Sequence, residues 1–388
     1  MHPISIQSPE VIPFASTVAE INLTNLKHNA IALQKAAGGA SLMAVVKADA
    51  YGHGAPRVAA ALVEVGVRHF AVANVAEGIQ LRECGIEGEI LVFGVPFPEC
   101  LHTYAEYDLD VTVSSAAVAE AVIREAKNGA GFNVHVKVDT GMSRLGVSPD
   151  EAPEVVRRLD AAPGVTLRGI WTHFANADEE DDTFSAEQLG AFRRALAGIG
   201  RRDIPVHAAN SAAILTVPES FADFERALVR PGLALYGVHS LPTLADQIRL
   251  KPVMRLVSRV CHVKTVEPGT TVSYGRTWTA QRRTRIATVA AGYADGYPRL
   301  LSNRGFVGIR NRRYPVAGVV CMDMLMVDLG DPDGVGAEVQ TGDRAVLFGD
   351  GGPTVDEVAD LAQTIPYEVL CGVSARVPRV YTESAEPI

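Results

Sequence analysis

Residues 44–54 read AVVKADAYGHG. The stretch opens inside an apolar run, Leu42-Met43-Ala44-Val45-Val46, which has the pattern of a buried strand. The run ends on Lys47 and passes into the turn-forming set Asp49, Tyr51, Gly52, His53 and Gly54. Carboxyl ends of parallel strands are where α/β folds carry their chemistry. A lysine avoids such a place unless it is paired or deprotonated. Held neutral, its amine can form a Schiff base with a carbonyl. The plainer reading is a lysine that only caps a strand end, and the rest of the chain has to separate the two.

Outward from this stretch, strand and helix patterns alternate through the first two thirds of the chain. Apolar strand candidates stand at 42–47, 69–73, 90–93, 111–114, 134–139, 167–173, 206–210 and 228–230. Amphipathic segments lie between them, among them 57–65, 116–127, 151–159 and 185–196, and Thr24 is placed to cap a helix through Ala36. About eight strand–helix units predict a closed (β/α)8 barrel of the TIM type. A doubly wound open sheet is the alternative; it usually has fewer units and a glycine-rich nucleotide turn after its first strand, which this chain lacks.

The texture changes near Leu241. Short strands are expected at 256–266, 285–290, 305–309, 315–318, 324–329 and 344–348, punctuated by glycine and proline, with a single late helix at 355–361 behind Thr354. The predicted organisation is an N-terminal extension (1–16), a barrel (17–240) and a mostly β-strand C-terminal domain (241–388), which the extended stretch 17–23 could join.

Composition narrows the function classes. The 388 residues exceed one small core, and 47% hydrophobic with 21% charged residues fits a globular protein. A net charge of −9 does not favour nucleic acid or an anionic membrane surface. The start, MHPISIQSPEVIPF, lacks the basic and apolar regions of a secretory signal, and no apolar run is long enough to span a bilayer. Five cysteines without CxxC spacing predict free thiols in a reducing cytoplasm, and no metal-ligand set is read.

If the strand register is right, Lys47, Lys137, Arg144, His173, Asn210, Ser211 and Arg230 gather at the carboxyl ends of the barrel strands. Each alone could be a solvated strand end. The segment Arg230-Pro231-Gly232-Leu233 brings backbone N–H groups to the last strand, where such barrels commonly bind phosphate; in isolation it is also an ordinary turn. No GxxxxGK loop is present, so a nucleoside triphosphate is not expected.

AVVKADAYGHG, KVDTGMSRLG, RPG, SYGRTW, GYADGYPR and CMD occur in this order, and together they closely resemble the motifs of the alanine racemase family, fold-type III enzymes dependent on pyridoxal 5'-phosphate (PLP). The resemblance runs over about residues 17–383. Asp49 stands where the lysine motif often has asparagine. The resemblance implies that Lys47 holds the cofactor and serves as one base, with Tyr274 as the second base, contributed by a partner subunit of a homodimer. It implies a phosphate cup of Tyr51, Ser211, Gly232, Leu233 and Tyr367, with Asn210 beside it. Arg230, supported by His173, is implied against the pyridine nitrogen. Arg144 and the Met322 backbone are implied to hold the substrate carboxylate, and Lys137 to be carbamylated. Tyr293 at the inner mouth and Arg299 and Asp178 farther out are implied to line the entry channel, which suits a small substrate such as alanine. Cys321 reads as packing, or else as a nucleophile without a paired histidine.

The expected function is L-/D-alanine interconversion by a two-base mechanism, supplying D-alanine for peptidoglycan or catabolising it. Alternatives are a broad-specificity amino-acid racemase, a related PLP-dependent decarboxylase of basic amino acids, and a non-catalytic PLP-binding barrel. The decarboxylases face the pyridine nitrogen with a glutamate, and the non-catalytic class lacks the β domain and second base.

Overall fold

The computed structural model describes residues 15–179, 181 and 183–383. The predicted N-terminal extension falls outside these residues except for Ala15 and Ser16. Two compact units emerge among the described residues: 26–50 and 55–251 form one, and 15–25, 51–54 and 252–383 form the other.

The first unit is a barrel. Its strands are β2 (Ser41–Val45), β3 (His69–Val72), β4 (Glu89–Val92), β5 (Asp110–Val113), β6 (Phe132–Lys137), β7 (Val165–Trp171), β8 (Val206–His207) and β9 (Leu228–Val229), β1 (Val18–Asn22) belonging to the other unit. All pair in parallel in the order β8-β7-β6-β5-β4-β3-β2-β9. A parallel bridge between Val206 and Ala227 joins β8 to the start of β9, so the sheet closes on itself. Strands such as β5, DVTV, are buried along their whole length, as parallel strands covered on both faces must be. Helices between them include Ala55–Glu64, Ala116–Lys127, Ala152–Asp160 and Thr183–Ile199. This is the (β/α)8 class that the alternating pattern predicts.

The second unit is mostly strand: β1 with β10 (Met254–Val266), β11 (Thr271–Val272), β12 (Trp278–Thr279), β13 (Thr284–Val289), β14 (Phe306–Ile309), β15 (Arg312–Pro315), β16 (Leu325–Gly330), β17 (Arg344–Phe348) and β18 (Arg379–Thr382). β1 pairs antiparallel with β10 and parallel with β18. Its alternation, with Ala19 and Ile21 buried, is that of a sheet packed on one face. β11 and β12 form a separate hairpin packed over Val266, Val272, Ala280, Ile286 and Ala317, with Trp278 and Met326 at its edge.

Three local expectations are corrected. The helix Leu23–Ala36 starts before Thr24, and it is the Asn22 side chain that accepts from the Asn25 N–H at 2.9 Å. The Thr24 hydroxyl instead donates to the Glu383 carbonyl at 2.7 Å. The strand expected at 315–318 lies earlier, at Arg312–Pro315, because it pairs with Phe306–Ile309 across the Arg310-Asn311 turn, both of whose residues have positive φ. The late helix is not single: Val355–Leu361, capped by Thr354 as expected, is followed by Pro366–Cys371, whose opening proline is well tolerated at a first helical position.

Candidate active site

Lys47 follows β2 by two residues and is half-buried. The helical turn it opens, Lys47–Gly52, is left-handed: Ala48, Asp49, Ala50 and Tyr51 have φ of 53°, 52°, 54° and 53°. Such geometry costs about 1–2 kcal/mol at each non-glycine residue, so it has to be held from outside. In the barrel unit, the Val46 carbonyl accepts from the Ala50 N–H at 2.8 Å. Glu77 accepts from the N–H groups of Ala48 (2.8 Å) and Ala73 (2.7 Å), and Asp49 accepts from the Ala55 N–H (2.7 Å). Asp49 thus ties the turn to the start of the next helix, a duty its carboxylate can perform.

The other barrel candidates also lie at strand carboxyl ends. Lys137 closes β6, His173 comes two residues after β7, and Arg230 directly follows β9. Arg230 is 3% exposed and donates through both terminal nitrogens. Nη1 reaches the His207 carbonyl (2.7 Å) and His207 Nδ1 (3.1 Å). Nη2 reaches the carbonyls of Thr172 (2.8 Å) and Ala208 (3.0 Å) and His173 Nδ1 (3.2 Å). Burial, then the charge of Arg144, pushes the guanidinium down to about 9, which leaves it a cation at neutral pH. His173 is driven well below the ordinary histidine value by burial and then by Arg230, Arg144, Lys137 and Lys47. Four cationic side chains therefore act on one neutral imidazole, and such a mouth calls for an anion.

Lys137 is 1% exposed, and its Nζ has no hydrogen-bond partner among the described residues. It stands over the Trp171 ring at 4.8 Å, and the Arg230 guanidinium stands over the same ring at 5.1 Å. Burial and Arg230 lower the ammonium to about 8, with Asp139 opposing and Arg144 assisting. Arg144 itself and Asp178 are exposed. Asn210 caps the following helical turn by accepting from the Ala213 N–H at 3.0 Å. Ser211 Oγ accepts from the N–H groups of Gly232 (2.9 Å) and Ala234 (3.3 Å), which brings it against the start of the short helical turn Leu233–Tyr236.

In the second unit, Tyr51 is buried, and burial followed by Tyr367 and Cys371 raises its hydroxyl far above the usual tyrosine range. It remains a protonated donor, with its ring 5.8 Å from that of Tyr367. Tyr274 sits on the tip between β11 and β12 and is 72% exposed. The tip is anchored by Ser273, whose hydroxyl donates to the Val319 carbonyl at 2.6 Å. The Tyr293 and Ala294 N–H groups donate to the Cys321 and Met322 carbonyls, each at 3.0 Å. Gly292 permits this approach, since a Cβ there would lie 2.2 Å from the Cys321 carbonyl oxygen. Arg376 bridges Asp295 and Asp323, each at 2.8 Å. SYGR, GYADGY and CMD thus form one patch, with Tyr274, Tyr293, Met322 and Met324 exposed on it and Arg299 exposed nearby in sequence. Cys321 Sγ lies 3.5 Å from both the Ser273 hydroxyl and the Val319 carbonyl, within the range of weak sulfur hydrogen bonds.

Sequence reasoning missed His207 and Trp171. Both are inward residues of barrel strands, and nothing in an apolar strand pattern distinguishes them from core.

Comparison with known proteins identifies the family to which the chain is similar. The family model for the alanine racemase N-terminal domain matches residues 21–240, and that for the alanine racemase C-terminal domain matches residues 253–381. Alanine racemase of Halothermothrix orenii is 43% identical over 374 residues, covering 94% of this chain and 96% of its own. That of Chlorobaculum tepidum is 43% identical over 372 residues, covering 93% and 94%. Among solved structures, the alanine racemase of Clostridium difficile 630 superposes with a TM-score of 0.89 at 38% identity, covering 96% of this chain and 97% of that one. The biosynthetic alanine racemase of Pseudomonas aeruginosa gives 0.84 at 38% identity, covering 95% and 99%. With both domain models matched and relatives aligned over nearly their full length, the chain belongs to the alanine racemase family.

Proposed function

We propose that this protein interconverts L-alanine and D-alanine with PLP as cofactor, in the cytoplasm, as a homodimer whose sites are shared, and so supplies D-alanine for the cell wall. The observation that carries the reading is the barrel mouth, where Lys47, Lys137 and the buried Arg230 stand at the carboxyl ends of β2, β6 and β9 and Arg230 reaches His173 Nδ1 at 3.2 Å. A phosphate, a phenolate oxygen and a substrate carboxylate are the anions such a mouth would balance.

The donor set fits the cofactor. The Ser211 hydroxyl, which the Gly232 and Ala234 amides hold by donating to it, would have its own proton to give to a phosphate, and the Gly232 and Leu233 backbone with the Tyr51 and Tyr367 hydroxyls would complete the cup. Nη1 and Nη2 of Arg230 are committed to five acceptors, which leaves its Nε–H to meet a ring nitrogen. Bound there, PLP supplies an electron-withdrawing ring that acidifies the substrate's α-proton. Arg230 has no acceptor to offer, so it would keep that nitrogen unprotonated and hold negative charge nearer the α-carbon, which suits simple proton removal and return.

Racemisation needs a proton taken from one face and delivered to the other. The Lys47 amine would serve one face. The Tyr274 phenol, lifted clear of its own surface on a hairpin tip, would serve the other in a partner subunit. The exposed apolar side chains around it, Tyr293, Met322 and Met324, are what a second copy would cover. Arg144 and the Met322 backbone would hold the substrate carboxylate, while Tyr293, Arg299 and Asp178 would line the approach and exclude water and bulky side chains.

The test is D-alanine formation from L-alanine by the purified, PLP-loaded protein, followed with a coupled D-amino-acid assay. Lys47→Ala and Tyr274→Phe are each expected to cut turnover by at least about 100-fold, the range of a lost general acid–base group. Unchanged turnover in both variants would remove the mechanism.

A further inference from the structure

Arg230 is the top of a buried hydrogen-bond chain that crosses the barrel interior. His207, on β8, accepts from Arg230 Nη1 through Nδ1 at 3.1 Å. Its other nitrogen, Nε2, lies 3.0 Å from His135 Nδ1 on β6. His135 Nε2 lies 3.2 Å from Asp110 Oδ2 at the first position of β5. The second Asp110 oxygen accepts from Arg168 Nη1, also at 3.2 Å. Asp110, His135 and His207 are fully buried.

The chain can run in one direction only. A guanidinium has no acceptor, so His207 Nδ1 must accept and its single proton must sit on Nε2. That N–H donates to His135 Nδ1, which places the His135 proton on Nε2 as well. His135 then donates to Asp110, a carboxylate held by Arg168. Protonating either ring would set donor against donor. Burial, followed by the charge of Arg230, pushes His207 well below its ordinary value, in keeping with a neutral ring.

The backbone is shaped for this chain. Val134 pairs with Leu167 but His135 pairs with Gly169, so Arg168 is an extra residue in β7. Such a bulge re-aims a side chain, here towards Asp110. A Cβ at Gly169 would lie 2.2 Å from His135 Nδ1 and 3.1 Å from His207 Nε2. Branched apolar side chains normally fill a barrel interior, and buried polar groups are costly unless every one is satisfied. Glu89 sits beside the lower end, a carboxylate oxygen within 4.8 Å of an Asp110 carboxylate oxygen and a His135 ring nitrogen, and Arg168 supplies the cation among them.

We propose that Asp110, at the opposite end of the barrel from the cationic mouth, is a positioning residue for Arg230: through His135 and His207 it locks both imidazoles as neutral Nε2–H tautomers and fixes the guanidinium as an oriented, donor-only cation. The catalytic consequence rests on the racemase reading above; the tautomers do not.

Neutron diffraction from deuterium-exchanged crystals near neutral pD tests the tautomers in the unmodified protein. Deuterium on Nε2 and not on Nδ1 of both His135 and His207 is expected, and deuterium on Nδ1 of either ring overturns the proposal. In Asp110→Asn the amide presents a donor to either His135 or Arg168, so one link must break. Its kcat for racemisation is expected to fall about tenfold with KM for alanine within about twofold, the signature of an interaction made in the transition state rather than in substrate binding. A folded Asp110→Asn with unchanged kcat overturns the positioning role. A protein with the expected tautomers and no racemisation at all refutes the proposed activity and leaves the hydrogen-bond chain standing.

Discussion

Lys137 shows what a single residue can disclose. The sequence marks it only as a lysine at a strand end, seven positions before Arg144. The fold buries its amine without a partner, under the influence of two arginines and over an indole ring. A buried cation in that setting is costly, and conversion of the neutral amine to a carbamate would replace it with an anion able to balance Arg230 and Arg144. The neutral amine is the form that captures carbon dioxide, so the adduct should accumulate as pH rises through about 8. Without it, the unfolded lysine binds more protons than the folded one between about 8 and the ordinary 10.5, so stability should rise with pH across that window. Native mass spectrometry in bicarbonate buffer should detect the adduct and lose it in Lys137→Met. Stripping carbon dioxide should lower Tm by about 1 °C for each kcal/mol forfeited, and Lys137→Met should be indifferent to the treatment. An unmodified mass under carbamate-preserving conditions would dismiss the idea.

At the scale of elements, the turn Lys47–Gly52 is the least legible feature of the most legible motif. Its composition announces a turn, but four successive non-glycine residues give no sign of left-handed backbone. The conformation is held by Glu77, thirty positions from Lys47, and by Asp49 reaching the next helix. Ala48 is exposed at φ 53°, so Ala48→Gly should relieve local cost without losing a packed side chain. Stability is expected to rise by about 1 kcal/mol, measured by urea denaturation; a loss of stability would show that the turn carries no such cost. Longer elements were readable to within a few residues because burial imposes a period on their side chains. β8 and β9 were expected at 206–210 and 228–230, but only two residues of each pair as strand, because only those residues find partners in β7 and β2.

For the whole molecule, the decisive prediction concerns shared sites. If Tyr274 serves the partner's cofactor, a dimer of one Lys47→Ala and one Tyr274→Phe subunit contains one site with both groups intact. Mixing the two variants under conditions of subunit exchange should restore about a quarter of the unmodified turnover, because half of random dimers are mixed and each has one complete site. Failure to recover activity in demonstrated heterodimers would mean that both groups act within one chain. The alternation of eight apolar strands with helices, the change of texture after Leu241 and the polar residues at strand carboxyl ends were all legible in the chain itself, since a residue's periodicity and its neighbours in sequence report how its segment is buried. The partners of β1, which lie more than two hundred residues further on, were decided by the fold alone. So were the unsatisfied amine of Lys137 and the line of hydrogen bonds from Arg230 to Asp110. Those depend on atoms that different strands bring within about 3 Å of one another, the range in which hydrogen bonds form, and spacing along a chain carries no record of such distances.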